Sequence, residues 1–546
     1  MAKGKIKRFT PGVVFQPQAH RAMYRGVEKI VSAIRPTLGP LHGVVAIEKE
    51  SKVGRPELLD DGAVIARRII QLPNRDEDMG AMYLRQILVN LHDSVGDGGA
   101  TAALIFLETY KGGLKYIANG GNAMRLRENL EKATLTILDE LERMSFSLEG
   151  KESLARLAES ICYDPELAKM LGEIFDVIGE FGRLDIQTGK GRTLAREYIE
   201  GMYWNGAIFS REMIIDPSLG RAQLEDTAIL MTDLDISNPR TMIEVLETAI
   251  RANLKTLLII AKTISEPALA VLLMKQNQEK IKVVAAKTPG LSIDDHREGL
   301  EDLAALVGGR LYLQATNDDL HRIQSSDFGF ARKAWADQRY FGISGGKGDP
   351  KFLRQHIAKL RKSFSNSEDE QVRRHLRERV GKLLGGSAIL WIGDPSPISA
   401  QARKELAERT AEAMRGAMHH GVLPGGEIAL LACKKRLLEK YHFAQETDER
   451  AAYHILAAAV EAPIQVLLEN AGENPFEILA QIKAADQGYG YDVIQRKVIH
   501  MANAGILDSA AVIREATYRA IYGAALALTV DVLIHRTKPP TAFHTT

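Results

Sequence analysis

Apolar residues recur at helical spacing through the first 145 residues of the chain. The spacing predicts amphipathic helices over 19–38, 77–90 and 122–145. Asn122 has the side chain expected of an N-cap for the third of these helices. We therefore expect this part of the chain to be predominantly α-helical.

The middle of the chain alternates between short apolar runs and helical stretches. The runs that are typical of β-strands cover 227–236, 255–264, 280–289 and 308–315. Helical patterns over 239–254 and 266–277 lie between them. Such alternation predicts an α/β arrangement in which some of the strands are parallel.

A highly charged helical segment follows over 350–383 and is interrupted at 363–367. Because of the interruption, a solvated helical hairpin is favoured over a coiled coil. Long helical patterns then continue to the end of the chain. A helical region, an α/β insert and a second helical region indicate a nested layout, in which the two ends of the chain form one domain. A chain of 546 residues is also too long to fold around a single compact core.

Composition narrows the class of protein. The chain is 45% hydrophobic and 26% charged, which is ordinary for a soluble globular protein. Its 71 Lys and Arg nearly balance 70 Asp and Glu, which argues against dedicated nucleic-acid binding. The two cysteines, Cys162 and Cys433, exclude a disulfide framework. No signal core follows the basic start, and no uncharged apolar run reaches the roughly 18 residues of a membrane span, so we expect a cytoplasmic protein.

Glycine-rich clusters indicate a candidate anion site. In the segment DSVGDGGATAALIF (93–106), Gly98 and Gly99 precede a helix that is predicted to begin near Thr101. Glycines let backbone N–H groups approach an anion, and a helix N-terminus adds its positive end. Asp97 in the same turn would repel a phosphate unless a cation lay between them. The turn therefore predicts a phosphate together with Mg²⁺, with Asp97 as a ligand of the metal.

Simpler interpretations of the same residues stay open. A GDGG turn is also a common tight loop, and Asp61, in the sequence DDG, is either a turn acid or a base that orients an attacking water. Neither a Walker A string nor a dinucleotide-binding G-x-G-x-x-G between a clear strand and helix occurs.

Taken together, eight motifs resemble the chaperonin family nearly from end to end. In family order they are TLGP (37–40), DDGAVIAR (60–67), MGAMYLRQI (79–87), GDGGATAAL (96–104), EGMYW (200–204), LRERVGKLLGG (376–386), GVLPGGEIAL (421–430) and GILDSAAVIREA (505–516). The forms DDG and LPGGE favour the third class of bacterial chaperonins, group III, which resembles the archaeal proteins.

The resemblance implies a chaperonin fold with three domains. These are a mostly helical equatorial ATP-binding domain (1–144 and 421–546), a small intermediate hinge domain (145–200 and 385–420) and an α/β apical substrate-binding domain (201–384). It further implies a homo-oligomeric double ring that encloses non-native polypeptides and is driven by ATP, with Mg²⁺ and, as a further candidate, K⁺. Chaperonin rings are closed by a lid, and the sequence leaves open whether this lid is part of the chain or is supplied by a separate co-chaperonin.

The resemblance also assigns a nucleotide site. The residues expected to bind nucleotide are Thr37, Leu38, Gly39, Pro40, Asp97, Gly98, Gly99, Ala100, Thr101, Gly425, Gly426 and Asp508. Within this set, Asp97 is expected to ligate Mg²⁺, and Asp508 is expected to bond the ribose. Asp61 matches an acid associated with the attacking water. Gly99 and Ala100 replace two threonines of the family's phosphate loop, so two hydroxyl contacts are lost while the backbone is kept.

The third acid of the family's site falls on Arg409 in this sequence. Glu408 is adjacent, and Glu405 and Glu412 lie one helical turn away. We predict that Glu408 is the catalytic substitute, and the alternative is that all three glutamates are solvated charges on a helix face. A chaperonin-like scaffold that binds nucleotide with little turnover is accordingly the alternative function.

The α/β insert is expected to bind polypeptide. The positions that match the family's apolar groove are Ile208, Met213, Ile243, Leu246, Leu269, Leu273 and Met274. Apolar helix stripes are more often part of a core, whereas a groove of this kind requires an exposed apolar surface. Four glycines match the hinges that join the domains: Gly201, Gly385, Gly386 and Gly421.

Overall fold

The computed structural model describes residues 12–48, 56–148, 150–189, 191–199, 201–214, 220–290, 293–367, 369–384, 387–394 and 396–535. The helices are α1 (Gln18–Ile34), α2 (Gly62–Arg68), α3 (Arg75–Val95), α4 (Gly99–Ala118), α5 (Ala123–Met144), α6 (Lys151–Cys162), α7 (Pro165–Ile178), α8 (Pro239–Arg251), α9 (Glu266–Leu273), α10 (Lys275–Lys280), α11 (Ile293–Val307), α12 (Pro350–Asn366), α13 (Glu370–Leu384), α14 (Pro397–His420), α15 (Ile428–Phe443), α16 (Thr447–Ala459), α17 (Ala462–Asn470), α18 (Pro475–Ala484), α19 (Met501–Ala504) and α20 (Ala510–Ala527).

The strands are β1 (Gly12–Phe15), β2 (Val45–Ile47), β3 (Glu57–Leu59), β4 (Arg183–Thr188), β5 (Ala195–Ile199), β6 (Met202–Asn205), β7 (Ala222–Thr232), β8 (Asp235–Ile236), β9 (Thr256–Ala261), β10 (Thr263–Ile264), β11 (Lys282–Lys287), β12 (Leu311–Tyr312), β13 (Gly329–Ala336), β14 (Tyr340–Gly346), β15 (Ser387–Ile392), β16 (Val422–Pro424), β17 (Tyr489–Asp492), β18 (Lys497–His500), β19 (Leu507–Ser509) and β20 (Val532–His535).

The chain divides into two compact units. Unit 1 combines Met1–Asp176 with Pro395–Thr546, and unit 2 is the continuous stretch Val177–Asp394. The two ends of the chain meet in unit 1, where β1 pairs with β20 in antiparallel register. The segments expected to form a hinge domain, 145–200 and 385–420, are divided between the two units. The three-domain boundaries stay a prediction.

Unit 1 is a helical body with a large apolar core. The helices predicted over 19–38, 77–90 and 122–145 are present as α1, α3 and α5. Asn122 caps α5, because its Oδ1 accepts from the N–H groups of Met124 and Arg125 at 2.9 and 3.0 Å. Fully buried side chains from several helices, such as Leu84, Phe106 and Ile521, join in the core. The apolar faces of the helices predicted from the sequence therefore meet in this cluster.

One helical stretch of unit 1, Thr447–Asn470, is long and apolar enough to cross a membrane by length and composition. The most apolar part of this stretch is 78% buried inside the protein. Its residues Ala452, Leu456 and Val460 belong to the core described above. Apolarity in this stretch is therefore accounted for by packing.

Unit 2 is built on a seven-stranded mixed sheet. The strand order is β11-β9-β7-β13-β14-β6, and β12 also pairs with β7. The pairs β11–β9, β9–β7 and β12–β7 are parallel, whereas β13 and β14 run antiparallel to their neighbours. The parallel strands β9, β11 and β12 lie within the apolar runs predicted from the sequence, whereas β7 overlaps its predicted run but begins five residues earlier, at Ala222. The helices α8 and α9 lie between these strands in the chain. The expected α/β insert is confirmed.

The charged segment forms the predicted helical hairpin, α12 and α13. Its facing side is buried rather than solvated, since Leu360, Phe364 and Val380 belong to one apolar cluster. Arg379 is buried as well, and its Nε and Nη2 donate to the Asp302 carboxylate at 2.9 Å each. A bidentate ion pair of this kind satisfies a guanidinium that burial would otherwise leave uncompensated.

Two of the predicted hinge glycines have backbones that favour glycine. Gly201 has φ +94° and Gly421 has φ +84°, and a Cβ added at either would lie within 3.0 Å of a backbone oxygen. Gly385 and Gly386 lie outside the described residues. The hinge role stays a prediction for all four positions.

The crossing of α1 and α3 depends on glycine and generates a stability prediction. A Cβ on Gly80 would lie 2.3 Å from the carbonyl oxygen of Met23. We expect Gly80→Ala to push the helices apart and lower the free energy of unfolding by about 1–3 kcal/mol, measured by chemical denaturation. Gly191→Ala is the control, because a Cβ there meets nothing within 4 Å. Equal stability of the two variants would contradict the prediction.

Candidate functional site

A cavity of about 750 Å³ in unit 1 brings together residues that are distant in sequence. The residues of the predicted nucleotide site that line it are Thr37, Leu38, Gly39, Pro40, Asp61, Asp97, Gly98, Gly99, Ala100, Thr101, Gly426 and Asp508. Gly425 and Glu408 are not part of this lining. The segments from both ends of the chain therefore contribute to one concave site, which is the arrangement expected of a small-molecule pocket.

The glycine turn between α3 and α4 forms one wall of the cavity. Gly96 and Gly98 have positive φ, +77° and +86°, and Gly98 is the residue before the first turn of α4. A Cβ on Gly98 would lie 2.8 Å from Cγ1 of Val512, and one on Gly99 would lie 2.9 Å from the backbone nitrogen of Ala63. Within the described chain no side chain caps α4. Its first-turn N–H groups are left for an anion from the cavity.

Asp97 lies in this turn with its carboxylate toward the start of α4. Its Oδ1 accepts from the N–H of Gly98 at 2.7 Å. Burial raises the pKa of Asp97; the positive charge of Arg409 opposes the shift and the charge of Asp61 adds to it. A bound cation would relieve the cost of keeping this carboxylate ionised.

The donor set fits Mg²⁺ bound together with a phosphate. Asp97 offers hard oxygen ligands, and a second carboxylate, Asp61, lines the same cavity. Among the described residues there is no group of three or more His, Cys, Asp or Glu that could hold a metal ion. Mg²⁺ in phosphate sites typically uses one or two carboxylates and completes its shell with phosphate oxygens and water. The site therefore suits a metal–nucleotide complex rather than a metal cage made of protein alone.

Asp61 is held in place from two sides. Its Oδ1 accepts from the N–H of Val64 at 2.7 Å and so caps α2. Its Oδ2 lies 3.1 Å from Nη1 of Arg409. The residue is 7% exposed. A carboxylate fixed in this way has a defined orientation toward the cavity.

Arg409 lines the cavity from α14, whereas the neighbouring glutamates do not. Glu408 is exposed, and its carboxylate lies 3.5 Å from Nζ of Lys404 on the helix surface. Arg409 and Ala413, one helical turn apart, are the residues of α14 that line the cavity. Glu405 and Glu412 are also absent from the lining. The expectation that Glu408 is the third acid of the site is therefore corrected.

Glu427 is a component of the site that the sequence analysis missed. It has a left-handed backbone, φ +64°, and only 5% of its surface is exposed. Its Oε1 accepts from the hydroxyl of Thr101 at 2.6 Å, and its Oε2 has no hydrogen-bond partner among the described residues. The available signal in the sequence was an acid directly after the two glycines of LPGGE, because binding residues are disproportionately found on loops.

The buried Glu427 and the partly buried Asp508 form a pair of neighbouring carboxyl groups. The carboxylate of Asp508 accepts from the backbone N–H of Glu427. Burial, reinforced by the charge of Asp508, raises the pKa of Glu427 to about 8. Burial also raises the pKa of Asp508 to about 7. The pair therefore titrates near neutral pH, which is unusual for carboxyl groups.

Part of the cavity lining is apolar. Leu467, Val493 and Met501 line it and belong to one buried cluster with Ile428. Gly425 supports this wall from behind: its N–H donates to the carbonyl of Ile506 at 2.9 Å, and a Cβ there would lie 2.9 Å from the nitrogen of Leu507. An apolar surface beside convergent polar groups is suited to a flat ring such as a nucleobase.

The predicted polypeptide-binding positions in unit 2 divide by exposure. Ile208, Met213 and Leu246 are at most 7% exposed and belong to the core of the sheet. Leu269 and Leu273 are partly buried against the same core. Ile243 and Met274 are 44% and 55% exposed. The expectation of a binding surface is corrected for the three buried residues, because their apolar area already stabilises the core.

Comparisons with known proteins agree with this architecture. The sequence model of the TCP-1/cpn60 chaperonin family matches residues 30–538. Among solved structures, the chain is similar to the chaperonin gp146 from the bacteriophage EL 2 (Pseudomonas aeruginosa), crystallised in the presence of ATP-BeFx. Crystal form I has a TM-score of 0.70 at 16% identity and covers 96% of this chain and 99% of that chain. Crystal form II has a TM-score of 0.61, with the same identity and coverage. At this identity the likeness shows a shared fold.

The buried carboxyl pair predicts a pH-dependent stability. Since the folded protein retains protons that the unfolded chain releases, the pair's contribution to stability falls as pH rises from the ordinary value of 4.5 to about 8. We expect Glu427→Gln to gain in melting temperature over wild type between pH 5 and pH 9, by about 2 °C or more. Glu408→Gln, which removes an exposed carboxylate, is the control. Parallel melting curves for wild type and Glu427→Gln across this range would refute the assignment.

Proposed function

Because the chain belongs to the TCP-1/cpn60 chaperonin family, it is an ATP-dependent chaperone, and we propose that the cavity of unit 1 is its ATPase site. The observation that carries this proposal is the convergence of the uncapped α4 N-terminus, Asp97 and Asp61 beside an apolar wall. One pocket thus offers an anion site, hard oxygen ligands for a metal ion and an apolar surface for a nucleobase. The presence of ATP-BeFx with the similar phage chaperonin supports nucleotide binding by this fold.

The phosphates are proposed to lie at the turn Asp97–Thr101, where the first-turn N–H groups of α4 act as donors. Asp97 would hold Mg²⁺, which supplies charge neutralisation for the phosphates when bound. The loop 37–40 is proposed as the second phosphate-binding segment. This loop is restrained, because Nδ2 of Asn470 donates to the carbonyl oxygen of Leu38 at 3.0 Å and the hydroxyl of Thr37 donates to that of Ile34 at 2.8 Å.

The sugar and base are proposed to bind at the other groups of the lining. Asp508 would accept a hydrogen bond from a ribose hydroxyl, and Gly426 would let the backbone approach the nucleotide. The apolar residues Leu467, Val493 and Met501 would contact the base. Each group is matched by its chemistry to the part of the nucleotide it faces.

Asp61 is proposed to orient the water that attacks the γ-phosphorus. The new P–O bond forms to the water oxygen as the bond to the bridging oxygen of ADP breaks, and ADP and inorganic phosphate leave. Since Asp61 is fixed by the Val64 N–H, it is pre-oriented for this role. Glu408 has no part in this mechanism.

Non-native polypeptides are the proposed partners of unit 2. The exposed positions Ile243 and Met274, with the partly buried Leu269 and Leu273, are the proposed contact surface. Membership of the chaperonin family also leads us to propose a homo-oligomeric double ring. A cytoplasmic location is proposed as well, because Cys162 and Cys433 are free and buried, which suits a reducing compartment. The group III assignment, the contribution of K⁺ and the origin of the lid remain predictions from the sequence.

An ATPase measurement with a matched refolding assay tests the proposal. We expect Asp97→Ala to lower Mg²⁺-dependent ATP hydrolysis at least about a hundredfold, because the metal ligand is lost, and to abolish refolding of a denatured enzyme. Glu408→Ala, a carboxylate outside the cavity, is expected to retain both activities. Refolding by Asp97→Ala without turnover would instead support a nucleotide-binding scaffold, and particles without rings in electron microscopy would contradict the proposed assembly.

A second prediction concerns unit 2. We expect the double variant Ile243→Glu/Met274→Glu to weaken the capture of a denatured enzyme about fivefold or more, since charge replaces exposed apolar area. The measurement is suppression of aggregation in the absence of nucleotide. Val372→Glu is the control, because Val372 is 46% exposed in unit 2 but outside the proposed surface. Equal capture by the double variant and the control would contradict this surface.

A further inference from the structure

Arg409 is a cation at the centre of an acidic cavity. The carboxyl groups of Asp60, Asp61 and Asp97 belong to the same lining. Among the described residues of the lining, the guanidinium cations are those of Arg409 and Arg156. Arg156 is exposed on α6, whereas the side chain of Arg409 is only 16% exposed. The buried cation is therefore a built part of the site.

The backbone fixes Arg409 beside the phosphate-binding turn. A Cβ on Gly96 would lie 2.7 Å from the carbonyl oxygen of Arg409 and 3.5 Å from the nitrogen of Ala413. The turn that carries Asp97 thus packs directly on α14 at this residue. An arginine side chain that begins here and lines the cavity lies close to the proposed phosphate position.

The guanidinium keeps donor capacity for a ligand. Its Nη1 lies 3.1 Å from Oδ2 of Asp61, and its Nη2 lies 3.4 Å from Oδ2 of Asp60. Both distances exceed the 2.7–2.9 Å or so of strong charge-assisted hydrogen bonds. Arginine carries five N–H donors in a planar fork, a geometry that matches phosphate oxygens as well as carboxylates. A phosphate bound beside the guanidinium can therefore compete with these carboxylates for its N–H donors.

We propose that Arg409 binds the terminal phosphate of a nucleoside triphosphate and, in doing so, releases Asp61. A triphosphate extends far enough to draw the guanidinium away from the carboxylate, whereas a diphosphate leaves the Arg409–Asp61 pair intact. Asp61 then becomes available to orient water only when a γ-phosphate is present. This inference rests on the proposed ATPase function and adds the residue that distinguishes triphosphate from diphosphate.

A purely structural role makes a different prediction. If Arg409 only neutralised Asp60 and Asp61, its loss would weaken triphosphate and diphosphate binding alike. A residue that contacts the γ-phosphate instead changes the ratio of the two affinities. The ratio is therefore the decisive quantity.

The test measures the Kd values of ADP and of adenylyl imidodiphosphate, a non-hydrolysable ATP analogue, by titration calorimetry with Mg²⁺ on the full chain. We expect Arg409→Gln to weaken binding of the analogue about tenfold or more and that of ADP less than about threefold. Arg409→Lys, which keeps the charge without the fork, is expected to weaken the analogue selectively as well, and it decides the matter if Arg409→Gln does not fold. Arg143→Gln is the control for loss of a guanidinium, because the side chain of Arg143 is 67% exposed and lies outside the cavity lining, and it is expected to leave the ratio unchanged.

The outcomes separate the two levels of the proposal. Equal weakening of both nucleotides by the Arg409 variants, unchanged binding of the analogue, or the same selective loss in Arg143→Gln would overturn the role of Arg409. Failure of the wild-type protein to bind either nucleotide would overturn the proposed function itself.

Discussion

The close approach of the α4 N-terminus to its neighbours is the constraint on which the site depends. Gly98 and Gly99 let α4 begin within contact of Val512 and Ala63, where any side chain would force the elements apart. Because the turn is left-handed at Gly96 and Gly98, the backbone reverses within a few residues and directs its N–H groups to the cavity. Asp61, Asp97 and Arg409 are then positioned by elements that pack on this turn. The polar groups of the pocket are thus placed by steric contact between apolar elements.

Charge balance within the cavity follows from the same packing. A buried acid is costly unless a cation or a proton compensates it. At the buried Asp61 the compensating charge is Arg409, whereas the raised pKa values of Glu427 and Asp508 indicate that protons serve this purpose there. Two forms of neutralisation therefore coexist in one pocket, and a bound metal–nucleotide complex would meet both.

Much of the fold and part of the site could be predicted because their signals are local. Helical periodicity identified α1, α3 and α5, and the Asn122 cap depends only on the three residues that follow it. The glycine turn around Asp97 could also be predicted, because it depends only on neighbouring residues in the sequence. By contrast, Glu408 lies outside the cavity lining, because tertiary packing of α14 decides which of its faces lines the cavity, and that face carries Arg409 and Ala413. The bond between Thr101 and Glu427 spans 326 residues, and the burial of Ile208 and Met213 is set by the assembled sheet. Tertiary contacts of this kind leave no periodic trace in the sequence.

The pairing of β1 with β20 has a consequence for the order of biosynthesis. Gly12 lies opposite His535 in that ribbon, so unit 1 is completed only when nearly the whole chain has left the ribosome. Unit 2 is a continuous stretch, and all strands of its seven-stranded sheet are available once Gly346 has been synthesised. Domains generally fold as units during synthesis. The nascent chain can therefore carry a folded unit 2 while the core of unit 1 is still incomplete. The helices α1 to α5 complete this core only after α15, α16 and α20 have been synthesised.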